Sequence, residues 1–183
     1  MERDFETVLA QQCAPTLAGI KPANLFSWKD AKKANLAYWR KILSPYGLRF
    51  RILKACPADG TCLVYLFRET WLCEILSNPD NRAFLFQTGY PDADWNILLK
   101  HLSGRLCYCR QFPHEIGIFL GYPLEDVTGF IQNHGRNYTC LGCWKAYGDP
   151  EEAARRFEAY HRCTAFYLKK LNMGVPLARL IAA

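Results

Sequence analysis

Leu48-Arg49-Phe50-Arg51-Ile52-Leu53-Lys54-Ala55-Cys56 alternates in polarity, Pro57-Ala58-Asp59-Gly60 turns the chain, and Thr61-Cys62-Leu63-Val64-Tyr65-Leu66-Phe67-Arg68 continues in β-favouring residues. A period of two, broken once by Pro, Asp and Gly, predicts a β-hairpin over 48–68. Cys56 and Cys62 flank its turn and read as packing residues. Most of the remaining chain shows helical spacing, so this hairpin makes the protein α+β and not all-α.

Upstream of the hairpin, Phe5, Val8, Leu9 and Gln12 recur on one face of a helix expected over 2–13. Pro15, Gly19 and Pro22 then predict a long loop beginning at Cys13. Ser27, with Asp30 three residues on, reads as the cap of a helix that Ser44-Pro45-Tyr46-Gly47 stops.

Downstream, short helices are expected over Glu69–Leu76 and Asn81–Gln87, and a longer one from Asp92 or Asp94 to Leu102, ended by Gly104. Arg105–Arg110 is expected to be extended, which would point Cys107 and Cys109 to one side. Pro113 opens a helix closed by Gly121 and Pro123, and Leu124–His134 forms the next. Residues 138–147 read as a strand. Asp149-Pro150-Glu151-Glu152 caps the last and best-marked helix, with Phe157, Tyr160, Tyr167 and Leu171 facing inward. The expectation is a single α+β domain over 1–183. Its small, mainly antiparallel sheet takes about three strands from 48–56, 61–68 and 138–147, covered by several helices.

The chain has 183 residues, half of them apolar, with five Trp, ten Tyr and eleven Phe, which suits a folded core. No apolar run reaches bilayer length, and Met1-Glu2-Arg3-Asp4-Phe5-Glu6 lacks the apolar centre of a signal peptide. A cytoplasmic protein without membrane association is expected. The net charge of +6 is spread out, so nucleic-acid binding is not expected. Nine cysteines, an odd number, argue against a disulfide framework in a reducing compartment. Buried packing, metal ligation and thiol chemistry remain.

Three constellations carry chemistry. Cys107-x-Cys109 and Cys140-x-x-Cys143 could supply four thiolates to zinc, or to iron in a cluster. His114, near a helix start, should be a neutral imidazole able to act as a base or to bind a metal or haem iron. Cys13 could be a nucleophile activated by His114, with Asp126 or Glu115 orienting the ring.

His114-Glu115-Ile116-Gly117-Ile118-Phe119-Leu120-Gly121 is superficially similar to the histidine segment of papain-like cell-wall cysteine peptidases. Cys13, however, lacks their Asp-Cys-Ser/Gly setting, and Pro113 favours a helix where they have a strand. A closer resemblance runs through Cys13-Ala14-Pro15-Thr16-Leu17, Lys21–Phe26, Pro113–Val127 and Trp144-Lys145-Ala146-Tyr147. On these residues the chain resembles an uncharacterised family of small proteins from anaerobic bacteria with no established activity. That resemblance implies a redox, haem or iron-related setting and a flavodoxin-like redox partner. The expected function is therefore binding of a metal or metal-containing cofactor (zinc, iron or haem). A Cys13/His114 hydrolase or transferase and a non-catalytic interaction module are the alternatives.

Overall fold

The structure, a computed structural model, describes residues 4–29, 35–108 and 111–182. It is α+β, as the sequence predicts, and divides into two compact units. Unit 1 comprises Met1–Leu72 and Arg162–Ala183; unit 2 is Cys73–His161.

Unit 1 is built on β1 (Ala23–Lys29), β2 (Leu48–Ala55) and β3 (Thr61–Arg68), all antiparallel in the order β1-β3-β2. The expected hairpin is β2–β3. Its turn is closed by Cys56 N–H donating to Thr61 O (2.7 Å) and by Thr61 N–H donating to Asp59 Oδ1 (2.9 Å). Leu48 and Phe50 alternate into the core; a register shift between Ile52 and Lys54 then re-aims the strand, burying Leu53 and exposing Ile52.

The third strand corrects the expectation: it is 23–29 and not 138–147. Strand β3 has two edges of backbone donors and acceptors, and β2 satisfies only one. β1 takes the other, with Phe26 opposite Val64 and Ser27 opposite Leu63. Ser27 is thus a strand residue. The helix after it, α2 (Leu36–Leu43), is capped by Asn35, whose side chain accepts from Tyr38 N–H. Asp30 lies outside the described residues.

Helix α1 (Phe5–Leu17) also runs past its expected end, with Pro15 in its last turn. An internal proline costs about 3 kcal/mol, and the burial of Leu9, Ala10, Cys13, Ala14 and Leu17 without exposed surface offsets this. The Pro15 carbonyl accepts from Ile20 and Lys21 N–H, which closes the helix. The core of unit 1 gathers α1, α2 and one face of the sheet with Tyr167, Leu177 and Ile181. Phe5 is at its centre, its ring 5.0 Å from Trp28 and 6.1 Å from Phe26.

Buried Arg68 ends β3. Its Nε donates to Thr16 O (2.9 Å), and one terminal nitrogen donates to Leu17 O (3.0 Å) and Ala182 O (2.8 Å). It gives further donors to the last carbonyls of α1 and ties them to Ala182.

The unit boundary falls within α3 (Glu69–Ser77) and again within α8 (Pro150–Asn172). Unit 2 also holds α4 (Pro79–Gln87), α5 (Trp95–Tyr108), α6 (Ile116–Phe119), α7 (Leu124–Gln132) and a hairpin of β4 (Cys140–Leu141) with β5 (Lys145–Ala146). Asp94 caps α5 by accepting from Asn96 and Ile97 N–H, and Asp149 caps α8 by accepting from Glu151 N–H. Gly104 does not end α5, which carries on through Cys107. The segment 105–108 is therefore helical, not extended. Among the described residues, no helix is long and apolar enough to cross a membrane.

Candidate functional site

Asp126 organises unit 2. It sits in the first turn of α7, 4% exposed, where the positive helix end suits a carboxylate. Its Oδ2 accepts from Trp144 Nε1–H (2.7 Å), and its Oδ1 accepts from the N–H groups of Tyr147 (2.6 Å) and Gly148 (3.1 Å). One side chain thus fixes both the tip and the exit of the β4–β5 hairpin. Trp144 is then sandwiched: its ring stacks on Tyr122 (4.4 Å, 19°) and meets Phe157 edge-on (4.6 Å, 88°).

This packing decides what the Cys140-x-x-Cys143 motif becomes. Cys140 pairs with Ala146 across the ladder, and residues 142–144 form the tip, closed by Gly142 N–H donating to Trp144 O (3.1 Å). A Cβ at Gly142 would lie 2.1 Å from Cδ2 of Phe157, so only glycine lets the hairpin press on α8. Cys143, next in the chain, is exposed. Its Sγ lies 3.9 Å from Nε2 of His161, one helical turn after Phe157 and likewise exposed.

Trp144's neighbours Tyr122 and Tyr160 complete the surroundings. Burial first, then the charge on Cys143, pushes the Tyr122 phenol up to about 12; burial also raises that of Tyr160. Both are neutral hydroxyls at any physiological pH.

His161 was not singled out from the sequence. Its signal is visible only in retrospect. Phe157 and His161 are four apart on a helix, hence on one stripe, and Gly142-Cys143 must meet that stripe.

The other expected residues fall elsewhere. Cys13 is fully buried in the core of unit 1, and burial pushes its thiol far above the usual range despite the opposing charge of Lys21. His114 is in unit 2, exposed, its ring 4.8 Å from that of Phe130. Glu115 is buried, accepting from Tyr90 Oη–H (3.1 Å) and Arg105 Nε–H (2.5 Å), and so fastens α5 to the segment before α6. Cys107 is exposed on the last turn of α5, and Cys109 lies outside the described residues. Among the described residues, no three His, Cys, Asp or Glu side chains converge as a metal-holding group.

Among the cavities that described residues of unit 2 line, two bear on the site. The larger, about 260 Å³, is lined mainly by apolar residues including Phe86, Pro91 and Leu98, with the Arg82–Asp92 ion pair at its edge. The smaller, about 120 Å³, lies beside Trp144 among Glu125, Asp126, Asp149, Glu152 and Arg156. Three of its four acidic groups are already engaged: Asp126 holds the hairpin, Asp149 caps α8 and Glu152 pairs with Arg156. Neither cavity brings a nucleophile and a base together.

The described architecture is that of an α+β protein whose second unit presents a thiol on a tryptophan-anchored hairpin beside an imidazole of α8. The chain belongs to the family described as "Protein of unknown function (DUF3793)", which it matches over residues 9–181. No curated protein and no solved structure matches it.

Proposed function

We propose that this is a cytoplasmic protein that binds a borderline or soft metal ion, or a metal-containing cofactor, through Cys143 and His161, in a redox or iron-related role. The observation that carries the reading is the 3.9 Å separation of Cys143 Sγ and His161 Nε2 on an exposed face. Bonds of roughly 2.3 Å to sulfur and 2.0–2.1 Å to nitrogen at a tetrahedral angle put the two donors about 3.6 Å apart. Only a few tenths of an ångström separate the pair from a chelating geometry. A thiolate with an imidazole suits zinc, copper(I) or iron better than a hard cation. The part-buried Asp126–Trp144 bond supports the reading by fixing the hairpin tip that carries one donor.

Zinc or cobalt(II) titration of reduced, chelator-treated protein tests it. Cys143→Ser and His161→Gln should each remove one binding event together with its sulfur-to-cobalt charge-transfer absorption. Undiminished binding in both variants would sink the reading.

A cysteine-nucleophile enzyme is the second reading. It is favoured at Cys143, which is exposed beside a potential base, over Cys13, which is buried. Iodoacetamide should then modify Cys143 ahead of the other thiols, and His161→Ala should slow that modification.

A further inference from the structure

We infer that Cys140 and Cys143 form a dithiol pair that reduces low-mass disulfides. Cys143 attacks the disulfide with His161 taking its proton, and Cys140 resolves the product. This rests on the cysteine-nucleophile reading of Cys143 and deepens it by naming the substrate class.

The placement of the two thiols carries the inference. Side chains alternate along a hairpin arm, so Cys140 and Gly142 face the same way. That side is α8: a Cβ at Gly142 would meet the Phe157 ring, and Cys140 packs on the cluster of Ala146, Ala153 and Phe157. Cys143, at the tip, brings its Sγ to 3.9 Å from His161 Nε2. Phe157 and His161 are one turn apart on α8, a spacing that sets Cβ atoms about 5–6 Å apart. The two thiols thus stand over adjacent turns of one helix, with Leu141 and Gly142 between them in the chain. One helical turn is about the span of a disulfide, whose Cα atoms lie roughly 4.4–6.8 Å apart.

Exposure assigns the roles. Cys143 is exposed and Cys140 half-buried, so an incoming disulfide meets Cys143 first. His161 accepts the Cys143 proton, and the thiolate attacks one sulfur of the substrate. A bond forms between Cys143 and that sulfur, the substrate's sulfur–sulfur bond breaks, and the departing thiolate takes the proton from His161. Cys140 then loses its proton to solvent, attacks Cys143 Sγ and expels the second small thiolate, which is protonated in turn. Two protein thiols become one disulfide while the substrate disulfide becomes two thiols, so electrons and protons balance. Proximity favours this closure, because Cys140 is held beside the mixed disulfide by the same hairpin.

The test mixes reduced, chelator-treated full-length protein with glutathione disulfide, followed by acid quenching, alkylation, trypsin digestion and mass spectrometry. Cleavage after Arg136 and Lys145 leaves both thiols in one peptide, 137–145. The expected product is that peptide two hydrogens lighter than its reduced form and free of alkyl groups. In Cys140→Ser the reaction should stop at one glutathione on Cys143, and in Cys143→Ser the peptide should gain neither. His161→Gln should slow the first step ~tenfold at pH 7 and little above about pH 9, where the thiolate forms unaided. A rapid mixed disulfide on wild-type Cys143 that never closes overturns the inference and leaves the nucleophile reading standing. Closure onto a cysteine outside 137–145 does the same. Equal rates with and without His161 at pH 7, or a Cys143 no faster than Cys107, remove both readings. Circular dichroism checks that each variant is folded, and wild type by itself decides whether the pair closes.

Discussion

Trp144 Nε1–H donates to Asp126 Oδ2 at 2.7 Å, and through that bond a helix-borne carboxylate fixes the tip of a hairpin eighteen residues further on. The same carboxylate accepts two backbone N–H groups. Asp126→Ala would leave three donors without their acceptor, and hydrogen bonds to a charged group are worth about 1.5–3 kcal/mol each. We expect the variant to lose on the order of 3 kcal/mol or more in urea melts, with a red shift of tryptophan emission as Trp144 loosens. Asp126→Asn should lose less. A change below about 0.5 kcal/mol in the alanine variant would remove Asp126 from its assigned role.

Gly142→Ala places a methyl where Phe157 already stands. Overpacking of this kind typically costs 1–3 kcal/mol. The hairpin should separate from α8, so the Cys143–His161 pair should open as well. Reduced thermal stability and loss of the zinc-binding event in one variant are the expected pair of observations. Normal stability with normal zinc binding would show that the contact is dispensable.

Alkaline pH should destabilise the surroundings of Trp144. The Tyr122 phenol is pushed up to about 12 in the folded protein, chiefly by burial, against about 10 in an unfolded chain. Above about pH 10 the unfolded state therefore binds fewer protons than the folded one. The stability Tyr122 contributes is present below that pH and is lost progressively up to about 12. Tyr122→Phe should flatten this part of the profile. Equal slopes in the two proteins between pH 10 and 12 would refute the assignment.

Cys13 should behave as a packing residue. Its thiol is fully buried and its ionisation strongly opposed. In native protein it should be the last cysteine to react with iodoacetamide, and Cys13→Ala should cost roughly 1–2 kcal/mol by leaving a small cavity. Preferential labelling of Cys13 would restore it as the nucleophile candidate.

Arg68→Lys should be far from conservative. An ammonium group cannot reproduce the planar fork that reaches Thr16, Leu17 and Ala182 together. We expect a loss of about 1–3 kcal/mol and faster proteolysis of the last residues. A neutral result in both assays would show that the three carbonyls are served by other donors.

How much was legible depended on whether a signal was local. The 48–68 hairpin and the capped helix after Asp149 were readable because alternation, turn residues and caps are properties of neighbouring residues. Strand β1 was not, because Ala23–Lys29 has no clean alternation and Ser27 imitates a helix cap. Its conformation is dictated by the open edge of β3, a partner over thirty positions away. Pro15 and Gly104 misled in the same way. Both disfavour helix locally, and both lie in helices that continue through them. At the candidate site, Cys140 and Cys143 stood out by spacing, whereas His161 sat unremarked on a helix. Asp126 stood out only as a possible orienter of His114, because its three donors on the 144–148 segment are distant in sequence.

The discontinuity of unit 1 bears on how the protein is made. Its core needs Tyr167, Leu177 and Ile181, Glu6 Oε1 accepts from Leu177 N–H (2.7 Å), and Ala182 N–H donates to Leu17 O (3.0 Å). As the chain leaves the ribosome, α1 and the three-stranded sheet therefore emerge without the segment that finishes them. Residues 73–161 can collapse as an uninterrupted stretch, but the earlier-made part of unit 1 waits for the later-made one. Native contacts spanning nearly the whole chain make that closure slow. During the wait, Leu9, Cys13 and Leu17 present an apolar face that the finished core covers.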